Sequence, residues 1–298
     1  MTTPRFGRVL TAMVTPFKPD GSINFDVAIE VADELVREGS DGLVLAGSTG
    51  EGASLSAKEK LELFACIAGA VEVPVLAGST SSNTADSIEL TSQVITTGCA
   101  GVLVTTPAYV RPSQKGIAEH FAAIADSTEL PVMLYDIPAR TGRKIAAQTT
   151  VHLVQRHKNI VAMKDASGDF VGAAHYKAVL GDAIDLYSGD DAVLLPFMAI
   201  GAVGIVSVAA HWAAHEFAGL VSSVEAGDWP AARAFNETLA ASYAFEGTDD
   251  YPNPMPSKAA LRYLGFNVGQ CRPPHCASDD VLDAEAARVV AALRATRG

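Results

Sequence analysis

Eight short apolar runs, each followed by a longer amphipathic stretch, constrain this chain more than any other feature. The runs are Arg8 to Val14, Gly42 to Ala46, Val73 to Ala77, Gly101 to Thr105, Val132 to Asp136, Ile160 to Lys164, Ile184 to Ser188 and Gly204 to Val208. Between them, apolar residues recur at three- and four-residue spacing over Phe25–Arg37, Ala57–Ala70, Thr84–Thr97, Lys115–Asp126, Ala146–Arg156 and Val171–Leu180, which predicts helices. Alternation of buried strands with helices requires a parallel sheet. Eight units in about 225 residues suit a (β/α)8 TIM barrel better than a doubly wound open sheet. After the eighth run no strand-like segment follows. Helical candidates at Ala231–Phe245, Ser257–Leu264 and Val281–Arg294 predict a small C-terminal helical extension, dividing the chain into a barrel over 1-227 and an extension over 228-298.

The formal net charge of -12 argues against nucleic acid or an anionic membrane as a partner. The N-terminus lacks a signal-peptide core, and no apolar stretch reaches the roughly 18 residues of a membrane span. A cytoplasmic protein is expected. Cys271, His275 and Cys276 offer at most three nearby ligands where structural zinc wants four, so no metal is expected there. His211 and His215, followed by Glu216, have the wrong order for a zinc-protease helix.

Barrel chemistry sits at the carboxyl ends of the strands. The sixth run ends in Lys164, whose ammonium would stand at the edge of a dry core. Desolvation favours the neutral amine there, and an amine can attack a carbonyl. An isolated lysine would more commonly snorkel to water. Its neighbours argue otherwise. The second run leads into Gly47-Ser48-Thr49-Gly50-Glu51-Gly52, a turn whose N–H groups and hydroxyls suit a small carboxylate; it has neither a Walker nor a dinucleotide spacing. The fourth run leads to Tyr109 and the fifth to Tyr135 and Arg140, which supply two phenols for proton transfer and a fork for a carboxylate. Asp190 and Asp191 are read as caps of the helix after the seventh strand rather than as an acid-base pair.

Gly47-Ser48-Thr49-Gly50-Glu51, Tyr135-Asp136-Ile137-Pro138-Ala139-Arg140-Thr141-Gly142 and Lys164-Asp165-Ala166-Ser167-Gly168-Asp169, in that order, resemble the dihydrodipicolinate synthase and N-acetylneuraminate lyase superfamily of pyruvate-dependent aldolases. Ser188-Gly189-Asp190-Asp191, the Gly204-Ile205-Val206-Ser207-Val208 strand and Pro252-Asn253-Pro254 extend the resemblance along nearly the whole chain. Within the superfamily, Arg140 and the Tyr109-Val110-Arg111-Pro112-Ser113-Gln114 segment are similar to the synthase branch. The resemblance implies a Schiff base between Lys164 and pyruvate, the pyruvate carboxylate on Ser48 and Thr49, and Val206 at the substrate. Tyr135, Thr49 and Tyr109 would move protons. Arg140 would hold the carboxylate of L-aspartate 4-semialdehyde, on the route to diaminopimelate and lysine.

No cofactor is implied. The implied assembly is a homotetramer, a dimer of dimers in which Tyr109 reaches a neighbouring subunit's site. Serine replaces the branch's usual threonine at position 48, keeping the hydroxyl but losing the methyl that restricts it. A sialic acid or 2-keto-3-deoxy sugar acid aldolase, and a catalytically silent binding barrel, are the alternatives. Lysine-sensitive members carry an aromatic residue before the tyrosine and a histidine near position 60. Ala108 and Lys60 stand here, so weak inhibition by lysine is expected.

Overall fold

A computed structural model describes residues 3 to 297. Eight parallel strands close into a barrel in sequence order, with β8 returning to pair with β1. They are β1 (Val9–Ala12), β2 (Gly42–Leu45), β3 (Val75–Gly78), β4 (Gly101–Thr105), β5 (Val132–Asp136), β6 (Ile160–Asp165), β7 (Asp185–Ser188) and β8 (Gly204–Ser207). The helices are α1 (Phe25–Arg37), α2 (Ala57–Ala68), α3 (Thr84–Val94), α4 (Gln114–Ala125), α5 (Pro138–Thr141), α6 (Ala147–Arg156), α7 (Phe170–Leu180), α8 (Leu194–Ala199), α9 (Ala210–Glu225), α10 (Trp229–Phe245), α11 (Met255–Tyr263) and α12 (Asp280–Ala295).

Strand alternation explains why the runs read as continuously apolar. Leu10, Val44, Leu76, Leu103, Met133, Ala162, Tyr187 and Val206 fill the barrel's interior. Their neighbours Val9, Leu43, Val75, Val102, Val132, Met163, Leu186 and Ile205 pack outward against the helices. Both faces are therefore dry, as parallel sheets require. Each fully buried aliphatic side chain contributes about 1.5 to 3 kcal/mol, which makes the barrel the stable platform for its loops.

Helix boundaries follow local chemistry. Asn24 caps α1, accepting from the Val27 N–H. At α2, Ser56 and Glu59 form a capping box, each side chain accepting the other's backbone N–H. The extension is α10 to α12, and α10 packs on α9. Among the described residues, no helix is long and apolar enough to cross a membrane.

Candidate active site

Register brings the first two groups together. Tyr135 and Lys164 are directly paired on β5 and β6, one residue before the strands end, and both point into the barrel. Lys164 is 4% exposed, and its Nζ lies 4.3 Å from the centroid of the Tyr135 ring. Burial pulls the amine down to about 8, with Asp191 opposing and Arg140 assisting. Burial pushes the Tyr135 phenol up to about 12, while Arg140 and the Ser48 side chain counter it.

Period-2 geometry turns the following residues outward. Asp136 accepts from the Ile145 N–H at 3.1 Å. Asp165 accepts from the Tyr176 hydroxyl at 2.8 Å and from the Ser167 N–H at 2.8 Å, fixing the loop after Lys164. Burial raises Asp136 to about 7. The Tyr-Asp and Lys-Asp dipeptides thus place one side chain inside the barrel and one anchor outside it apiece.

The loop after β2 is tightly folded. Ala46 and Glu51 have φ of 50° and 53°, the left-handed region that costs non-glycine residues free energy. Gly52 is obligatory, since a Cβ there would lie 1.9 Å from the Ala46 carbonyl oxygen. Neither the Ser48 nor the Thr49 N–H finds a partner among the described residues. Two free donors beside two hydroxyls are suited to an anionic carboxylate.

Asn253, between α10 and α11, reaches this loop. Its Nδ2 donates to Thr49 Oγ1 at 3.0 Å, and its carbonyl accepts from Arg140 Nη2 at 3.4 Å. The sequence offered Asn253 only as part of a resembling tripeptide. Glu51 is held by the same extension. Lys258 Nζ lies 2.6 Å from Glu51 Oε1, and the Arg272 N–H donates to Oε2 at 2.8 Å.

Above Tyr135 opens a cavity of about 460 Å³, lined by Ser48, Thr105, Tyr135, Ile137 and Arg140 and extending to Lys60, Ala108 and His275. Lys164 is not among the residues that line it; its Nζ lies against the Tyr135 ring, which does. Val206 is wholly buried in the barrel interior.

Tyr109 is not brought to the site by its own chain. Its φ is 72° and it is 95% exposed beside the exposed Val110. Nor does Thr49 bond Tyr135; its hydroxyl is taken up by Asn253.

Of the paired aspartates, Asp190 does cap a turn, accepting from the Ala192 N–H at 3.1 Å. Asp191 does not. Its side chain turns inward, accepting from the Ser207 hydroxyl and, at 2.9 Å, from the Val208 N–H.

His211 uses both nitrogens on backbone. Nε2 accepts from the Val14 N–H at 3.1 Å, so Nδ1 carries the proton donated to the Val208 carbonyl at 2.7 Å. Burial lowers this imidazole to about 4. Glu216 pairs with Arg297. Among the described residues, no group of three or more His, Cys, Asp or Glu could hold a metal ion.

An inward amine at a strand end, with a depressed pKa and a phenol against it, defines the class as a (β/α)8 lyase of the Schiff-base type. Within that class the chain belongs to the dihydrodipicolinate synthetase family, whose match spans residues 5–293. It is 42% identical over 294 residues to the 4-hydroxy-tetrahydrodipicolinate synthase of Synechococcus sp. strain CC9605, covering 98% of this chain and 96% of that protein. A dihydrodipicolinate synthase structure from Bacillus anthracis superposes with a TM-score of 0.92 at 38% identity, covering 96% of this chain and 98% of that one. The enzyme of Cyanidioschyzon merolae with lysine bound gives 0.94 at 38% identity, covering 97% and 99%.

Proposed function

We propose that this chain is a 4-hydroxy-tetrahydrodipicolinate synthase, condensing pyruvate with L-aspartate 4-semialdehyde. The observation that carries the reading is the buried Lys164 amine, lowered to about 8 against the Tyr135 ring, in a chain of this family. The neutral amine attacks the pyruvate carbonyl carbon. A C–N bond forms, the carbonyl oxygen takes up protons and leaves as water, and the imine remains. Loss of a methyl proton gives an enamine, whose carbon attacks the aldehyde while the aldehyde oxygen takes up a proton. The amino group of the second substrate then attacks the imine carbon, closes the ring and releases Lys164 as an amine.

We assign the pyruvate carboxylate to the Ser48 and Thr49 N–H groups and hydroxyls, with Val206 behind it. Arg140, at the cavity rim, takes the carboxylate of the semialdehyde. Tyr135 moves protons in concert with Thr49 and Tyr109. Because Tyr109 projects into solvent from a strained turn, we assign it to a neighbouring subunit's site, within a homotetramer built as a dimer of dimers. Residues 1-227 then carry the chemistry, and residues 228-298 brace it.

The test joins a trap to a turnover assay. Borohydride with pyruvate should leave a mass increment on Lys164 alone. Turnover should occur with the semialdehyde and not with sialic or 2-keto-3-deoxy sugar acids. An adduct elsewhere, or preference for a sugar acid, overturns the reading.

A further inference from the structure

Where α10 packs on the turn after β7, two carboxyl groups, Asp191 and Glu246, interact with each other and with Lys164, and the reaction steps above use neither. Asp191 starts a short turn after β7, and Glu246 ends α10. Lys164 is held to this turn by shape. A Cβ on Gly189 would stand 2.9 Å from Lys164 Cγ, so the chain leading into Asp191 runs along the lysine stem.

Both oxygens of Asp191 already accept, one from the Ser207 hydroxyl and one from the Val208 N–H. Glu246 is only partly covered as a residue, yet its Oε2 is sealed from solvent and has no donor. A buried carboxylate oxygen without a donor is costly, and two ionised carboxylates in contact repel. A proton on Glu246, directed at Asp191, resolves both.

We propose that Asp191 and Glu246 share one proton, carried by Glu246, and together present a single negative charge to Lys164, so that they act as positioning residues for the cationic imine. This rests on Lys164 being the imine-forming residue. The amine can shed its charge by losing a proton, whereas a protonated imine carbon-nitrogen bond in the same dry site needs a counter-charge. One carboxylate supplies it. Two would hold the amine protonated and unreactive, and none would leave the imine unpaired.

The charged and titratable groups facing the pair are Lys164 from β6, Asp190 from its own turn, Tyr243 from α10 and, beyond the lysine, Arg140. Burial raises both carboxyls, and Glu246 is further raised by Asp191, which agrees with the proton residing there. The Tyr243 hydroxyl donates to Asn236 Oδ1 at 3.1 Å and is not the missing donor.

The experiment compares Glu246→Gln with the double variant Asp191→Asn/Glu246→Gln. Imine formation is followed by borohydride trapping with pyruvate across pH, and infrared difference spectra are taken on the unliganded proteins. Glutamine keeps a donor to Asp191 and the single charge, so E246Q should leave the acid limb of imine formation where it is and remove one protonated-carboxyl band. The double variant removes the charge, whereas D191N alone would let Glu246 ionise in place of Asp191. The acid limb of the double variant should move to lower pH, because the lysine cation loses support, and its trapping rate should fall on the order of 10- to 100-fold.

An acid limb that moves in E246Q as it does in the double variant shows that Glu246 is ionised, and overturns the proposal. So does the absence of a protonated-carboxyl band in the wild-type protein. Circular dichroism separates misfolding from either result, and Asp191→Glu in the Glu246→Gln background, which restores the charge, should recover the limb. Failure to trap Lys164 in the wild type would instead remove the imine assignment; the infrared band tests the shared proton independently.

Discussion

Lys258→Met breaks the buried pair that fastens the extension to the loop after β2. The side chains of Lys258 and Glu51 are each 1% exposed, and the 2.6 Å approach lies off the hydrogen-bonding angle, so its attraction is mainly Coulombic. Lys258 Nζ also donates to the Gln270 carbonyl at 3.0 Å and lies 4.2 Å from the Phe17 ring centroid. Methionine replaces most of the stem's volume but leaves the buried Glu51 side chain without its cation and with one N–H from Arg272. Removing one partner of a buried pair costs about 3 to 5 kcal/mol. In a chain of this length that corresponds to a fall in Tm of roughly 5 to 15 °C.

Glu51 stands two residues beyond Thr49, so the KM for pyruvate should rise as well. Denaturant unfolding of the single variants and of Glu51→Gln/Lys258→Met completes the cycle. The double variant, having no orphaned charge, should regain most of the lost stability. A Lys258→Met loss below about 1 kcal/mol, or a double variant as unstable as the single, would refute the reasoning.

The rate of imine trapping on Lys164 should rise with pH and level off above about 8, because the cation that dominates below that value cannot attack; a limb near the ordinary lysine value of 10.5 contradicts the desolvation argument. Arg140→Ala should raise the KM for the semialdehyde by about 10-fold or more and barely change that for pyruvate, and equal effects on both rule out its assigned partner. Mixing inactive Tyr109→Phe and Lys164→Ala proteins under subunit exchange should restore activity through hybrid sites, whereas exchange without recovery places Tyr109 in its own subunit's site. L-Lysine should half-inhibit only above about 1 mM, weaker than about 4 kcal/mol of binding, because Ala108 offers no aromatic wall and the Lys60 amine repels an ammonium; inhibition at lower concentration shows that a lysine pocket survives.

What was legible in the sequence follows from how local each signal is. The runs at Gly101–Thr105 and Val132–Asp136 and the helix at Phe25–Arg37 match the structure residue for residue, since strand and helix periods are written in adjacent positions. The helix α9 gave no such signal at its start: Ala210, His211, Trp212, Ala213 and Ala214 are all buried and the helix kinks at Ala213, so this first turn shows no polar stripe. Tyr135 and Lys164 could be placed on one rim because each ends an apolar run. Asp191, Glu246, Glu51, Lys258 and Asn253 could not be linked, because their partners lie tens to hundreds of residues away and no period records such contacts. Asp191 was misread for that reason, as the cap its neighbour Asp190 provides.

The hydrogen bond from Asn253 to Thr49 spans 204 positions, and it bears on how the protein is made. Synthesis runs from the N-terminus, so all eight strands, ending at Ser207, leave the ribosome before Asn253 does. A barrel closed at that moment would hold Lys164 and Tyr135 in register while Thr49 still lacked its partner and Glu51 its counter-ion. On the site proposed above, chemical competence would therefore arrive with the last quarter of the chain, and a truncated product that folds its barrel would be a poor catalyst instead of a smaller good one.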